Sequence, residues 1–249
     1  MPEHTHVEFL GPPGAGKSTV HRELTAAPRY YGGIYADAIE RLAREQLCGW
    51  RRLAYRLLPS GLRSVLETVS LQHPLRARLL DEFVVENPSF PAAMWNAHRV
   101  ATTEPDAGPT VLKNAAERYQ LGVETVGPDE RFCMDEGFMM GAVAVLWRGG
   151  EAFSLPAYFE CVPTPETLVH VTAPREVCLR RQRDREKTLA DRHAVAAMDD
   201  AQQRHEDACA RVVEAAEATD GITVVTVSNE GRLEEAVESV ERALAAPSQ

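Results

Sequence analysis

The segment with the clearest chemical potential lies near the start of the chain, where glycines are followed by a lysine and two hydroxyl side chains. Its spacing is G-x-x-x-x-G-K-[ST], which is typical of loops that bind the phosphates of a nucleotide. Glycines let the backbone wrap around an anion without Cβ clashes, so that successive N–H groups and the N-terminus of the next helix converge on one phosphate. The loop consists of Gly11, Pro12, Pro13, Gly14, Ala15, Gly16, Lys17, Ser18 and Thr19.

Two side chains of this loop supply specific chemistry. The ammonium of Lys17 can lie between the β- and γ-phosphates, and the hydroxyl of Ser18 is a ligand for Mg²⁺. Lysine is otherwise rare, because the 27 basic residues include only Lys17, Lys113 and Lys187 as lysines. One of these lysines stands where the motif requires it. This favours a site for ATP and Mg²⁺ over an ordinary glycine-proline turn.

The overall charge restricts the partners of the chain. Its 249 residues carry 37 acidic and 27 basic side chains, for a net charge of -10. A negative field repels nucleic-acid phosphates and anionic membranes, so we expect neither as a partner. The sequence leaves a homodimer open.

Cysteine usage and hydropathy indicate a cytoplasmic location. The five cysteines are widely spaced and include no C-x-x-C pair, which is typical of reduced thiols rather than of a disulfide framework or a zinc site. The most apolar stretch, residues 137–147, has about half the length that a membrane-spanning helix needs. No basic segment followed by an apolar run precedes the loop, so we expect a cytoplasmic protein without an export signal.

The elements around the loop follow the order strand, turn, helix. Residues 5–10 predict a short strand and residues 19–27 a helix, with the glycine-rich loop between them. A second strand is predicted at residues 33–36. From residue 38 to about residue 126 the pattern is almost entirely helical, with breaks at prolines and glycines.

The second half of the chain alternates strands with helices. Strands are predicted at residues 131–134, 168–171 and 222–227, and helices at residues 138–146, 195–219 and 233–245, with a further helix starting at Pro174. Short apolar strands separated by helices leave no room for hairpins. The pattern therefore predicts an α/β protein with a parallel sheet covered on both faces.

The nonapeptide GPPGAGKST resembles the P-loop of small-molecule kinases related to adenylate, thymidylate and nucleoside kinases. The resemblance implies a three-layer α/β/α P-loop NTPase fold, with a five-stranded parallel sheet in the order 2-3-1-4-5. It also implies a single kinase domain over residues 1–249. A large helical insertion after strand 2, about residues 38–126, would bind the phosphate acceptor, and an arginine-bearing lid would span about residues 175–192.

Three carboxylates match positions that matter in such kinases. Asp135 follows the third strand, at the position of the acidic motif that holds Mg²⁺, and Glu136 beside it could orient the acceptor or take its proton. The resemblance to thymidylate and deoxynucleoside kinases implies D-R or E-R at this point, whereas this chain has Asp135-Glu136-Gly137. The arginine that would touch the substrate is missing, which leaves a different acceptor open. Alternatively, the acidic pair caps the next helix. Asp37, at the end of the second strand, matches a carboxylate that accepts the acceptor's proton, or it is a plain N-cap.

Arginines after the fourth strand resemble a kinase lid. Arg181 and Arg185 are separated by one helical turn, and their guanidinium groups suit the phosphoryl oxygens of a transition state. The alternative is a solvated helix face with ordinary salt bridges. Weaker candidates for gripping the acceptor are Arg52, Arg56, Arg63 and Arg118.

Together these features predict an ATP-dependent phosphotransferase. The expected acceptor is a small molecule with a hydroxyl or phosphate group, such as a nucleoside, a nucleotide, a sugar or an antibiotic-like compound. The segment T-R-E-P-G-G of thymidylate kinases is missing from the sequence, which argues against that acceptor. The alternative function is a nucleotide-dependent ATPase or GTPase switch that acts on a protein partner.

Overall fold

The computed structural model describes residues 5–33, 57, 59, 73–100, 107–184 and 198–245. These residues form one parallel sheet in the order β2-β3-β1-β4-β5, as the sequence predicted. The strands are β1 (His6–Leu10), β2 (Tyr30–Tyr31), β3 (Arg131–Met134), β4 (Thr167–Thr172) and β5 (Thr223–Ser228). The central position of β1, between β3 and β4, places the loop after it at the middle of the sheet's carboxyl edge.

Helices cover both faces of this sheet. In chain order they are α1 (Lys17–Leu24), α2 (His73–Glu86), α3 (Phe90–Val100), α4 (Ala107–Thr125), α5 (Phe138–Trp147), α6 (Leu155–Phe159), α7 (Arg175–Asp184), α8 (Met198–Glu217) and α9 (Leu233–Ala245). On one face α4, α5 and α8 bury a core that includes Leu112, Phe138 and Val212. On the other face α1 and α9 bury Val20 and Val240. The three-layer α/β/α arrangement is therefore confirmed.

Burial explains why the strands could be predicted from the sequence. All five residues of β1 are buried, because a parallel strand with helices on both sides has no solvent face. The predicted bounds of β3 and α9 agree with the structure, those of α5 differ by one residue at one end, and those of β4 differ by one residue at each end. α1 begins at Lys17, two residues before its predicted start, because Gly16 adopts the left-handed conformation and serves as the N-cap.

The second strand lies before its predicted position, and residues 34–36 of the predicted segment lie outside the described residues. Tyr30 and Tyr31 form β2, where they pair with Arg131 and Phe132 of β3 and are buried. Gly33 follows the strand with a φ of +58°, a left-handed conformation that no strand residue adopts. Tyr30 and Tyr31 bury large aromatic side chains against the sheet, whereas Gly32 and Gly33 carry no side chain that could pack there.

Four further features of the described residues concern membrane spans, cysteines, metal ligands and one short helix. None of their helices is long and apolar enough to cross a membrane. The four cysteines among them, Cys133, Cys161, Cys178 and Cys209, are free thiols. Within these same ranges no group of three or more histidine, cysteine or acidic side chains has the arrangement of a metal site. The short helix α6, which Ser154 caps through its side chain, was not predicted.

Candidate functional site

The glycine-rich loop joins the carboxyl end of β1 to the first turn of α1. Gly14 and Gly16 have φ angles of +84° and +92°, which favour glycine over any other residue. A Cβ on Gly14 would lie 2.3 Å from the carbonyl oxygen of Cys178, so the loop also needs glycine for close packing against α7. The N-terminus of α1 has no side-chain cap. Its first N–H groups and its dipole are therefore directed at whatever the loop encloses.

Lys17 and Asp135 form the centre of the site. The Nζ of Lys17 donates to Oδ1 of Asp135 over 2.6 Å and to the Asp135 carbonyl oxygen over 2.8 Å. β3 lies beside β1, so the residue that follows β3 reaches the same edge as the loop, as predicted for Asp135. Burial alone would raise the pKa of Asp135, but the Lys17 ammonium and a hydrogen bond from Ser18 outweigh burial and leave that pKa below its ordinary value.

A buried histidine, His21, lies on the same face of α1 as Lys17. His21 lies one helical turn after Lys17 and is buried, and its Nε2 is 3.0 Å from the carbonyl oxygen of Cys133. Burial is the main cause that lowers the pKa of His21, so its imidazole is neutral at neutral pH. His21 was not among the site residues predicted from the sequence. Its spacing of four residues from Lys17 is the signal that could have identified it, because that spacing places both side chains on one face of α1.

A fully buried carboxylate holds the start of α5. Oε1 of Glu8 accepts from the N–H of Phe138 over 3.0 Å, and Oε2 accepts from the N–H of Met139 over 2.7 Å. A Cβ on Gly137 would lie 2.3 Å from the carboxyl carbon of Glu8, which explains why glycine occupies this turn. The alternative that Asp135 and Glu136 cap α5 is therefore wrong, since Glu8 fills that place.

Glu136 is paired with an arginine from another helix. NH1 of Arg118, on α4, donates to Oε2 of Glu136 over 3.2 Å, and the two side chains are 42% and 62% exposed. Glu136 therefore lies beside Asp135 but faces solvent and Arg118. The sequence offered Arg118 only as a weak candidate, and its pairing with Glu136 was not predicted.

Two clefts open on this edge of the sheet. The loop cleft, of about 440 Å³, runs from the glycine-rich loop into the groove between α4 and α5. The edge cleft, of about 400 Å³, lies against the ends of β2 and β3 and is lined by His21 and Asp135. Ser18, Arg118 and Glu136 line both clefts. The predicted phosphate loop and the predicted carboxylates are thus brought together around connected space.

Arg181 lies against the loop itself. Its NH1 donates to the carbonyl oxygens of Gly14 and Ala15, both over 3.3 Å, and its NH2 donates to the carbonyl oxygen of Asn229 over 3.0 Å. Arg180 and Arg183 of the same helix are exposed, so α7 presents a solvated face and a loop-facing one. Arg181 lines the loop cleft from this anchored position.

Side chains link the loop to α7, which is the first part of the predicted lid, and to α8. Nε2 of Gln182 donates to the carbonyl oxygen of Pro13 over 3.0 Å and to Oε1 of Gln202 on α8 over 2.9 Å. Nε2 of Gln202 donates in turn to Glu206, which also accepts from Arg175. These bonds connect α7 and α8 to the glycine-rich loop.

Several predicted residues lie outside the described residues. These are Asp37 and Arg185 among the proposed catalytic groups, and Arg52, Arg56 and Arg63 among the weaker candidates. Their roles stay predictions.

Comparison with known proteins extends the description of the fold. No protein-family model and no curated protein matches the chain. Among solved structures, it is similar to a deoxyadenosine kinase from M. mycoides with the products dCMP and a flexible dCDP bound, at a TM-score of 0.52 and 10% identity. The same kinase with dCTP bound gives a TM-score of 0.51 and 10% identity. Each alignment covers 96% of this chain and 98% of the other. Over nearly its whole length the chain therefore has the fold of these P-loop kinases.

Proposed function

We propose that the protein transfers the γ-phosphate of MgATP to a small-molecule acceptor. The observation that carries the proposal is the ion pair between Lys17 and Asp135. Lys17 belongs to the glycine-rich loop, and this loop lines one end of the loop cleft. Nucleotide and acceptor would meet where the loop cleft leaves the loop. The similarity in fold to deoxyadenosine kinases supports a small acceptor rather than a protein.

The residues present fit a magnesium nucleotide. The left-handed glycines leave a concave backbone that a Cβ would disrupt, since one on Gly16 would lie 2.1 Å from Nδ2 of Asn229. Ser18 and Asp135 are hydrogen-bonded neighbours, and the low pKa of Asp135 keeps its oxygens ionised at neutral pH. These two side chains would hold Mg²⁺, which when bound neutralises charge on the β- and γ-phosphates.

Each side chain of the site would have its own role in phosphoryl transfer. The ammonium of Lys17, which is paired with Asp135, would also interact with the phosphates. The N–H groups of the loop and of α1 would orient the phosphates. Arg181, which lines the loop cleft, and Arg185 would act on the transferred group. The proton of an acceptor hydroxyl would go to Asp37 or Glu136, as the resemblance implies.

Water must be kept from the γ-phosphate until the acceptor is bound. The segment of about residues 38–126 would supply part of the acceptor site, and the lid of about residues 175–192 would close over both ligands. Closure of this kind predicts slow hydrolysis of MgATP by the protein alone.

The test is a transfer assay with MgATP and panels of nucleosides, nucleotides, sugars and aminoglycosides, read by mass spectrometry. We expect ADP and one phosphorylated product in equal amounts, and no product with Lys17→Ala. Fast hydrolysis without a phosphorylated product, or stimulation only by a macromolecule, would instead favour the ATPase or GTPase switch.

A further inference from the structure

The loop cleft has one polar wall and one apolar wall. Residues of α4 at helical spacing, Val111, Asn114, Ala115 and Arg118, line one side. Residues of α5 at the same spacing, Met140, Ala144 and Trp147, line the other. Whatever occupies this groove therefore meets an apolar surface on one side, and on the other side it meets the polar groups of Asn114 and Arg118.

The amide of Asn114 is oriented by an ion pair between a buried glutamate and a partly exposed arginine. Nε of Arg76 donates to Oε2 of Glu117 over 2.6 Å, and Glu117 is 1% exposed. NH2 of the same guanidinium donates to Oδ1 of Asn114 over 2.8 Å. A guanidinium has only donors, so the amide atom that faces it must be the oxygen. Asn114 is thus left to offer its N–H groups to a ligand in the cleft.

Arg118 also offers donors. It lies one turn after Asn114, and its guanidinium carries five N–H donors, of which one forms the 3.2 Å bond to Glu136. That ion pair is exposed on both sides, and exposed pairs stabilise a fold little. Arg118 can therefore exchange Glu136 for an anionic oxygen of a ligand at little cost. Both polar groups that α4 presents to the cleft are consequently hydrogen-bond donors.

Charge in the cleft agrees with this donor pattern. In a chain of net charge -10, the described residues that line the loop cleft include Lys17, Arg118, Arg148 and Arg181 but only one carboxylate, that of Glu136. Lys17 and Arg181 lie at the loop end, where the nucleotide would be. Arg118 and Arg148 lie where the acceptor would be. Among the described residues, basic side chains therefore outnumber carboxylates around this cleft.

We propose that the acceptor already carries an anionic oxygen group, and that Asn114 and Arg118 recognise this group from α4. The proposal rests on the proposed function, because it names the substrate class of the same cleft. It selects a phosphate ester or a carboxylate-bearing compound over a neutral nucleoside or sugar. An acceptor of this class would place an apolar face against Met140 and Trp147 and direct its anionic group to the donors.

Three substitutions separate recognition from folding. Asn114→Asp keeps the size of the side chain and an oxygen towards Arg76, but it replaces the donor with a negative oxygen. Arg118→Gln removes the guanidinium. The matched control is Arg78→Gln, because Arg78 is 41% exposed and also bonds a glutamate of α4, Glu124, yet it does not line the cleft.

Binding is measured by calorimetry in the presence of a non-hydrolysable ATP analogue and Mg²⁺. The probes are deoxycytidine against dCMP, and glucose against glucose 6-phosphate and glucuronate. We expect an anionic member to bind about tenfold or more tighter than its neutral counterpart, as charge-assisted hydrogen bonds imply. Asn114→Asp and Arg118→Gln should abolish that preference, and Arg78→Gln should retain it. The phosphate and glucuronate arms distinguish the two anionic groups.

Equal or tighter binding of the neutral members, or failure of every anionic probe to bind, overturns the proposal. So does an unchanged preference in both cleft variants. Binding of the ATP analogue is recorded separately for each variant. If the analogue itself does not bind, the proposed function fails, whereas analogue binding without anion preference overturns only the inference about the acceptor.

Discussion

Glu8→Gln is the most direct test of how the site is held in place. Glu8 is fully buried in β1 and accepts two N–H groups at the start of α5. Glutamine keeps the shape and one oxygen, but its amide nitrogen then faces one of those N–H groups, donor against donor. A lost charge-assisted hydrogen bond costs about 1.5–3 kcal/mol, and a buried unsatisfied donor costs about 1–3 kcal/mol. A neutral side chain is less costly to bury, which offsets part of this loss.

The expected net loss is about 2–4 kcal/mol of unfolding free energy, which for a chain of this size lowers Tm by about 5–15 °C. Thermal unfolding followed by circular dichroism measures it. The control is Glu238→Gln, the same chemical change at an exposed position of α9, which should leave Tm unchanged within about 1 °C. Because Glu8 also fixes the turn that carries Asp135, phosphotransfer should fall in Glu8→Gln and not in the control. Equal Tm values for the two variants would refute this account of the cap.

Three further outcomes are expected. Lys17→Ala should abolish transfer, and its Tm deficit against the wild type should shrink as the pH falls through the lowered pKa of Asp135, because protonation of that carboxylate removes the ion pair from the wild type as well. Burial lowers the pKa of His21, so the unfolded chain gains a proton below about pH 6.5 that the folded chain does not, and unfolding free energies at decreasing pH should fall less steeply in His21→Gln than in the wild type. Arg181→Lys should reduce kcat more than it raises the KM for ATP, with a loss of about 2–4 kcal/mol in steady-state kinetics, and an unchanged kcat would mean that Arg181 only braces the loop.

The fold was predictable because its signals are local. Strand β3 is a short apolar run between a proline turn and a glycine, and α9 has regular amphipathic spacing, so both were located correctly. The failure at β2 has the opposite cause. Two tyrosines become a strand only because β3 lies beside them, and a pairing partner about 100 residues away leaves no local pattern.

The site residues also divide into those that a local sequence pattern predicts and those that meet only in the folded chain. The loop residues and Asp135 follow from spacing and from the end of a strand, whereas Glu8 and Phe138 are 130 residues apart in sequence and meet only in the folded sheet. A signal for Glu8 was nevertheless present. A carboxylate in the middle of an apolar strand that is buried on both faces needs a partner, because an unpaired buried charge is not tolerated there.

Glu8 also determines which of two helix N-termini, that of α1 or that of α5, is available to an anion. Both α1 and α5 start at the carboxyl edge of the sheet, from neighbouring strands, and each helix N-terminus carries a partial positive charge. At α5 this charge is matched by the buried carboxylate of Glu8, which occupies the first N–H groups. At α1 the cap is Gly16, which offers no side chain. Asp135 lies between the two starts and is bound by Lys17. An anion that approaches this edge is therefore drawn to the glycine-rich loop, and the neutralised start of α5 leaves the adjoining groove free for a second ligand.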